Sequence, residues 1–317
     1  MERPPAPLGP GDDTRVVGAE AFEAALRGVA AATDDPRAGP WGPRSMMWRV
    51  SREKCVFLAA GKAALLQLAH PYVGEAIAAS ESAVRDPILR FRRTFEAVYA
   101  MVFGTLDDAL GAARTVHRVH RHVEGELPAA GRYAAGHRYR ANEVAALEWV
   151  LATLVDGSVH AFELTVGSPS PAQLEAFWRD ARTLGQLMGL TELPPDWAAF
   201  ERYRDAALAS DMLAVTPRAA DVGRALLVAP DRVTAPVWAT YRAITAHLLP
   251  ARFRAPFGLR YGRRERAVAL AALAAARAGY LRVPARIRWV PAYHEARWRL
   301  SGAPARDRVG RGSSPRR

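Results

Sequence analysis

A single all-α, multi-helix domain is the fold class this sequence predicts, and three observations carry the prediction. Apolar residues recur at three- and four-residue spacing through window after window, while strict alternation never persists. Helix punctuation brackets those windows. Ser168-Pro169-Ser170-Pro171 offers a capping serine before a first-turn proline, Pro194-Pro195-Asp196 offers an aspartate cap, and Gly104-Thr105 and Gly189 offer stops. Finally, no internal repeat of about 20 to 50 residues is visible, which excludes a solenoid, and 317 residues at 50% hydrophobic content suffice to bury one large core.

Along the chain, residues 1–44 form a Pro/Gly-rich lead-in (Pro4, Pro5, Pro7, Pro10, Pro36, Pro40, Pro43) interrupted by one short helix over 19–32. The folded body, 45–300, predicts helices over 52–69, 72–79, 87–103, 106–125, 141–166, 171–188, 196–210, 217–227, 235–248, 260–278 and 285–298. Residues 301–317 are a tail, expected to be disordered because arginines dominate it and it has almost no apolar side chain to bury. Such a basic end is suited to peripheral contact with an anionic membrane, or to serve as a plain solubilising terminus.

Composition narrows the function classes. Of 44 basic residues only Lys54 and Lys62 are lysines, so 42 are arginines, and 32 acids leave a formal charge of +12. The arginines are scattered, with acids between them over most of the chain and no zinc-finger or RNA-recognition signature, so nucleic acid is not the expected partner. The single cysteine, Cys55, excludes an intramolecular disulfide and any site built from several thiolates. With no secretory pattern at Met1 onward, the expected location is cytoplasmic.

No sequence motif names a mechanism: GxxxxGK[ST], HExxH, GxSxG and the paired Glu-x-x-His of di-iron bundles are all missing. What remains is a histidine and arginine constellation. His70 ends an apolar helix before Pro71, as a cap or as a ligand. Arg90, Arg93 and Thr94 share one helical face. In the segment 114–125, His117, His120 and Glu124 fall on one face beside Val116 and Val123, with Val119 as a further apolar neighbour, while His122 points elsewhere. Two imidazoles on one half-apolar face suit a ligand, a proton-transfer pair or a satisfied core. Thr153 and Asp156 lie inside a very apolar helix and therefore need partners.

The ordered blocks Trp48–Glu53 (WRVSRE), Ala64–Pro71 (ALLQLAHP), Asp86–Thr94 with RFRRT, Val102–Gly104 (VFG), the RxVHxxHRxVxG segment and EWVLATLVDG resemble the MpaB and rubber-oxygenase (latex-clearing protein) catalytic domain family. That resemblance implies a globin-like helical core holding one haem b, with an oxygenase activity that uses O2 on isoprenoid or other unsaturated apolar molecules. By motif position the axial iron ligand maps to His120. Arg90, Arg93 and Thr94 map to the opposite, distal side, and His117, His70 and Thr153 fall among the cofactor-binding positions. Two departures matter. Arg93 stands where latex-clearing proteins carry an iron-coordinating lysine, and a guanidinium stays protonated and cannot ligate. Leu151 stands where many members carry a histidine.

Three functional readings follow. The first is a haem b-dependent oxygenase acting with O2 on an apolar small molecule. The second is a non-catalytic helical protein that binds haem or an apolar ligand. The third is an interaction protein whose arginine-rich C-terminal third meets an anionic membrane or nucleic acid.

Overall fold

Residues 15–80 and 87–302 are described by a computed structural model, save for the side chains of residues 87, 88, 90 and 91. The expected disorder beyond residue 302 and the first fourteen residues of the lead-in lie outside the described residues. The fold is all-α. Fifteen α-helices and two short 3-10 turns are present among the described residues, with one two-stranded hairpin.

The N-terminal half runs α1 (Ala19–Ala31), α2 (Met46–Ser51), a 3-10 turn (Lys54–Leu58), α3 (Ala60–Leu68), α4 (Pro71–Ala78), α5 (Pro87–Phe103) and α6 (Leu106–His120). Strands β1 (Glu124–Glu126) and β2 (Arg138–Arg140) follow. After them come α7 (Val144–Thr165), α8 (Pro171–Leu187), α9 (Trp197–Ala209), α10 (Pro217–Leu226), α11 (Ala235–Leu248), α12 (Ala251–Arg254), α13 (Arg263–Gly279), α14 (Ala285–Arg288) and α15 (Pro291–Leu300).

Local chemistry accounts for many boundaries. Thr105 and Ser170 close capping boxes with Asp108 and Gln173, and Asp196 accepts from the Ala199 amide at 2.7 Å. Gly189 ends α8 at φ +87, where a Cβ would also strike Val17. Helix α11 spans the residues its pattern predicts.

α7 is the central helix, packed by α3, the first 3-10 turn, α8 and α13. It is long and apolar enough to cross a membrane, but 61% of its most apolar stretch is buried inside the protein. Three buried tryptophans tie the core together. The indole N–H groups of Trp48, Trp149 and Trp178 donate to Val102 O, Leu66 O and Pro194 O at 2.7 to 2.9 Å, so large apolar rings are buried without orphaned donors.

Three expected helices differ from the structure. The 52–69 window breaks at Ala59. Its first part is held as a 3-10 turn because Cys55 N donates to Tyr280 Oη and Glu53 bridges to Trp289. The 106–125 window ends at His120, since Glu124–Glu126 pairs antiparallel with Arg138–Arg140. That hairpin is favoured by Arg138 and Arg140 flanking Glu124 at 3.8 and 3.6 Å and by Tyr139, which packs beside Tyr72. Glu124 therefore does not share a helical face with His117 and His120. The 285–298 window divides around Trp289 and Val290, ahead of Pro291. The short helices α2 and α12 carry too few turns to show a period.

Candidate functional site

Helices α5 and α6 form a hairpin joined only by Gly104 and Thr105, so the N-terminal half of α5 lies beside the C-terminal half of α6. This brings the Arg93–Thr94 pair and the His117–His120 pair to the same end of the hairpin. Arg93 and Thr94 are exposed, and the neighbouring Arg92 pairs with Glu96 at 3.3 Å. The Arg90 side chain lies outside the described residues.

His117 is buried. Its ring stacks on Phe22 of α1 at 4.0 Å and 5°, and the Asn142 amide nitrogen lies 3.3 Å from Nδ1. Its Nε2 is buried with no hydrogen-bond partner among the described residues. Burial, helped by Arg121, lowers the pKa of the imidazole and favours its neutral form. His120 is the last helical residue and is half-buried. Val119, the apolar neighbour of His120, is 59% exposed and so is not part of the core.

His70 occupies a separate place. As N-cap of α4 it accepts the Tyr72 amide through Nδ1 at 3.3 Å, and its Nε2 is buried without a partner among the described residues. Complete burial, with Arg132 nearby, pushes its pKa down to about 3. Tyr72 meets it edge-on and Tyr133 at a tilt, while His137 stacks on Tyr72 and its Nε2 shares a 2.6 Å hydrogen bond with Tyr72 Oη. The sequence showed His70 as a helix end but not this aromatic nest, which the 124–140 hairpin brings in from elsewhere in the chain.

Thr153 spends both functions of its hydroxyl on packing. It donates to Val150 O at 2.8 Å and accepts from Gln67 Nε2 at 3.0 Å, tying α3 to α7. Asp156, one turn on, is paired by Lys62 at 2.6 Å and Arg204 at 3.4 Å, while Lys62 also donates to His160 Nδ1 at 3.2 Å. Leu151 is buried in the apolar core.

Against α5, the first helix of the hairpin, lies a small apolar cavity of about 60 Å³ that opens to solvent. Its walls come from α2, the first 3-10 turn, α3, α5, α7 and α8, and the α5 wall is Phe95, Val98, Tyr99 and Val102. The Tyr99 hydroxyl is buried with no hydrogen-bond partner among the described residues, and burial raises its pKa strongly. Ser51 and Ser158 are the other hydroxyl-bearing residues of the lining. The cavity starts at Phe95, the residue next to Thr94. Sequence reasoning missed Tyr99, because one hydroxyl on an apolar helix stripe is indistinguishable from an ordinary core tyrosine.

Among the described residues no group of three or more His, Cys, Asp or Glu side chains could hold a bare metal ion. The buried unpartnered Nε2 of His117, three residues before His120 on the same helix, does fit a centre that needs one neutral imidazole and brings its remaining ligands with it, as haem does. These features define a class: an all-α protein with a buried histidine on one helical hairpin and a small apolar cavity against the first helix of that hairpin. Residues 48–278 match the family described as ER-bound oxygenase mpaB/B'/rubber oxygenase, catalytic domain, and the chain belongs to that family. The family is of oxygenase type. No curated protein and no solved structure matches the chain.

Proposed function

We propose that this protein is a haem b-dependent oxygenase that uses O2 on an unsaturated, apolar, isoprenoid- or lipid-like small molecule. The observation that carries the reading is the apolar cavity against α5, the helix that bears Arg93 and Thr94 and packs on the histidine-bearing α6. Haem, when bound, supplies the redox chemistry with O2.

The chain's own residues have distinct parts in this reading. His120, which the family motif marks as the iron ligand, would hold the haem iron through its imidazole. Arg93 and Thr94 would supply hydrogen-bond donors on the side where O2 binds. Because Arg93 is a permanent cation it orients and stabilises without coordinating. The apolar walls of the cavity desolvate the substrate, and the unpartnered Tyr99 hydroxyl is a polar handle that orients it. The cytoplasm is the location we propose, a compartment in which the lone thiol of Cys55 would stay reduced.

The absorption spectrum of the purified full chain tests the reading. A Soret band that survives dialysis is expected in the parent and in His122→Ala, and is expected to be lost in His120→Ala. A colourless protein that ignores added haemin overturns it. The burial of His117 favours a second assignment of the ligand: loss of haem in His117→Ala with retention in His120→Ala would transfer the role. A haem-loaded protein that consumes no O2 with any unsaturated apolar substrate would instead be the non-catalytic binder.

A further inference from the structure

Positive charge is concentrated in one segment. Residues 232–294 contain twelve of the 44 basic residues, all arginine, and one of the 32 acids, Glu265. The rest of the chain is nearly neutral, with 32 basic and 31 acidic residues. Ten of those twelve arginines are exposed, all but Arg254 and Arg288. Among the described residues only Arg288 of this set reaches a carboxylate, Glu53 at 3.6 Å. An arginine surface stripped of counter-charges stands ready for an anionic partner.

The same segment exposes aliphatic side chains. Seven of the eleven large hydrophobic residues most exposed among the described residues lie in it, including Val233 at 89%, Val237 at 70%, and Leu281 and Ile287 at 53% each. Between residues 277 and 288 they alternate with cations: Arg277, Leu281, Arg282, Val283, Arg286 and Ile287 are all exposed. The 3-10 turn Lys54–Leu58 joins this stretch to α11. Lys54 Nζ donates to Ile287 O at 2.5 Å, Cys55 N donates to Tyr280 Oη at 3.0 Å, and Tyr241 Oη of α11 donates to Phe57 O at 3.1 Å. Val237 and Trp238 of α11 and the 280–288 stretch thus flank one turn.

That turn also roofs the cavity. Val56, Ala59 and Ala60 line it, and the ring of Phe57, 36% exposed, stands 4.9 Å from the ring of Phe95, another lining residue. We propose that the face formed by residues 277–288, Phe57 and the start of α11 docks on an anionic lipid bilayer, its arginines meeting phosphate headgroups and its aliphatic side chains entering the acyl boundary. Nucleic acid would satisfy the arginines alone. Aliphatic side chains interleaved with arginine gain free energy only where apolar chains lie beneath the charge, as at a lipid interface. The docking stands on this surface alone. The corollary, that an apolar substrate enters past Phe57 from the bilayer, rests on the function proposed above.

Vesicle flotation of the full chain tests the docking, with phosphatidylcholine alone and phosphatidylcholine mixed with phosphatidylglycerol, at low and physiological salt. Binding is expected to the anionic vesicles and to weaken with salt. Arg277→Gln/Arg282→Gln/Arg286→Gln should lower the partition coefficient about tenfold or more. The triple change Leu281→Ser/Val283→Ser/Ile287→Ser should lower it several-fold at unchanged charge, and a fluorophore on Ile287→Cys should shift to the blue on anionic vesicles. All six positions are exposed, so the fold is retained, and unchanged far-ultraviolet circular dichroism checks it. Equal flotation of parent and both variants overturns the proposal. So does binding that needs the arginines but not the aliphatic residues, together with duplex DNA binding of the same strength, which would mark a polyanion site. Either outcome leaves the haem spectrum, and with it the oxygenase reading, untouched.

Discussion

Two regions of the molecule bury polar groups and treat them in contrary ways. Around Asp156 every charge is answered: Lys62 and Arg204 reach the two carboxylate oxygens and the ammonium also meets His160. Around the α5–α6 hairpin and the cavity, His117 Nε2 and Tyr99 Oη are buried with no hydrogen-bond partner among the described residues, and His70 Nε2 at the foot of α4 is in the same state. An unpartnered buried polar atom costs about 1 to 3 kcal/mol, and a fold retains few of them without use. The satisfied network therefore reads as architecture, and the unsatisfied Tyr99 hydroxyl, in the cavity lining, reads as a place kept for a ligand.

The largest effect expected from this contrast lies in the network. Asp156→Ala strands a buried lysine and should cost about 3 to 5 kcal/mol, seen as a fall in the urea midpoint. Replacing the partners together, as in Lys62→Met/Asp156→Leu, should recover most of that loss. A single variant as stable as the parent would dissolve the distinction between the two regions.

His70 gives an intermediate effect that depends on pH. Its folded pKa, about 3, lies below the ordinary imidazole value of 6.5, so the unfolded chain takes up the proton first as pH falls. Its contribution is complete above pH 6.5 and is lost progressively down to about 3, reaching about 2 kcal/mol at pH 5. His70→Asn keeps a capping acceptor and removes the titration, so its stability should vary less between pH 7 and pH 5 in denaturant titrations. A variant with the same pH profile as the parent would take His70 out of this account.

Tyr99→Phe should have the smallest effect on stability. Removing a hydroxyl that has no partner should leave the melting temperature unchanged or slightly higher, within about 1 kcal/mol. If the hydroxyl is the handle for a ligand, the affinity for an apolar alcohol should fall while that for a plain hydrocarbon of the same size should not. A large loss of stability would place Tyr99 with the satisfied groups.

Part of this molecule is legible in its amino-acid order alone. The family blocks, the capping serine before Pro171, the stops at Gly104-Thr105 and Gly189 and the whole of α11 follow from residues within one or two turns of each other; that Thr105 also caps α6 came from the structure. The site is legible by residue type only. His117 and His120 share a helical face, but which of them is covered depends on Phe22 and Asn142, one from α1 and the other from the end of the hairpin loop. Glu124 extends that face in the helical pattern, yet pairing with Arg140 draws it into a strand. Thr153 looks available for a cofactor, whereas Gln67 from α3 already occupies its oxygen.

Short-range chemistry decided that this chain is helical, where most helices begin, and that 232–294 is basic, because periodicity, caps and charge are properties of neighbours along the backbone. Packing decided the rest. Which imidazole loses its water, which carboxylate gains a lysine, and that Phe57 stands at the edge of a cavity with exposed arginines around it all depend on segments scores of residues apart meeting in space. Burial and pairing, the two quantities that set a polar group's free energy, exist only after that meeting.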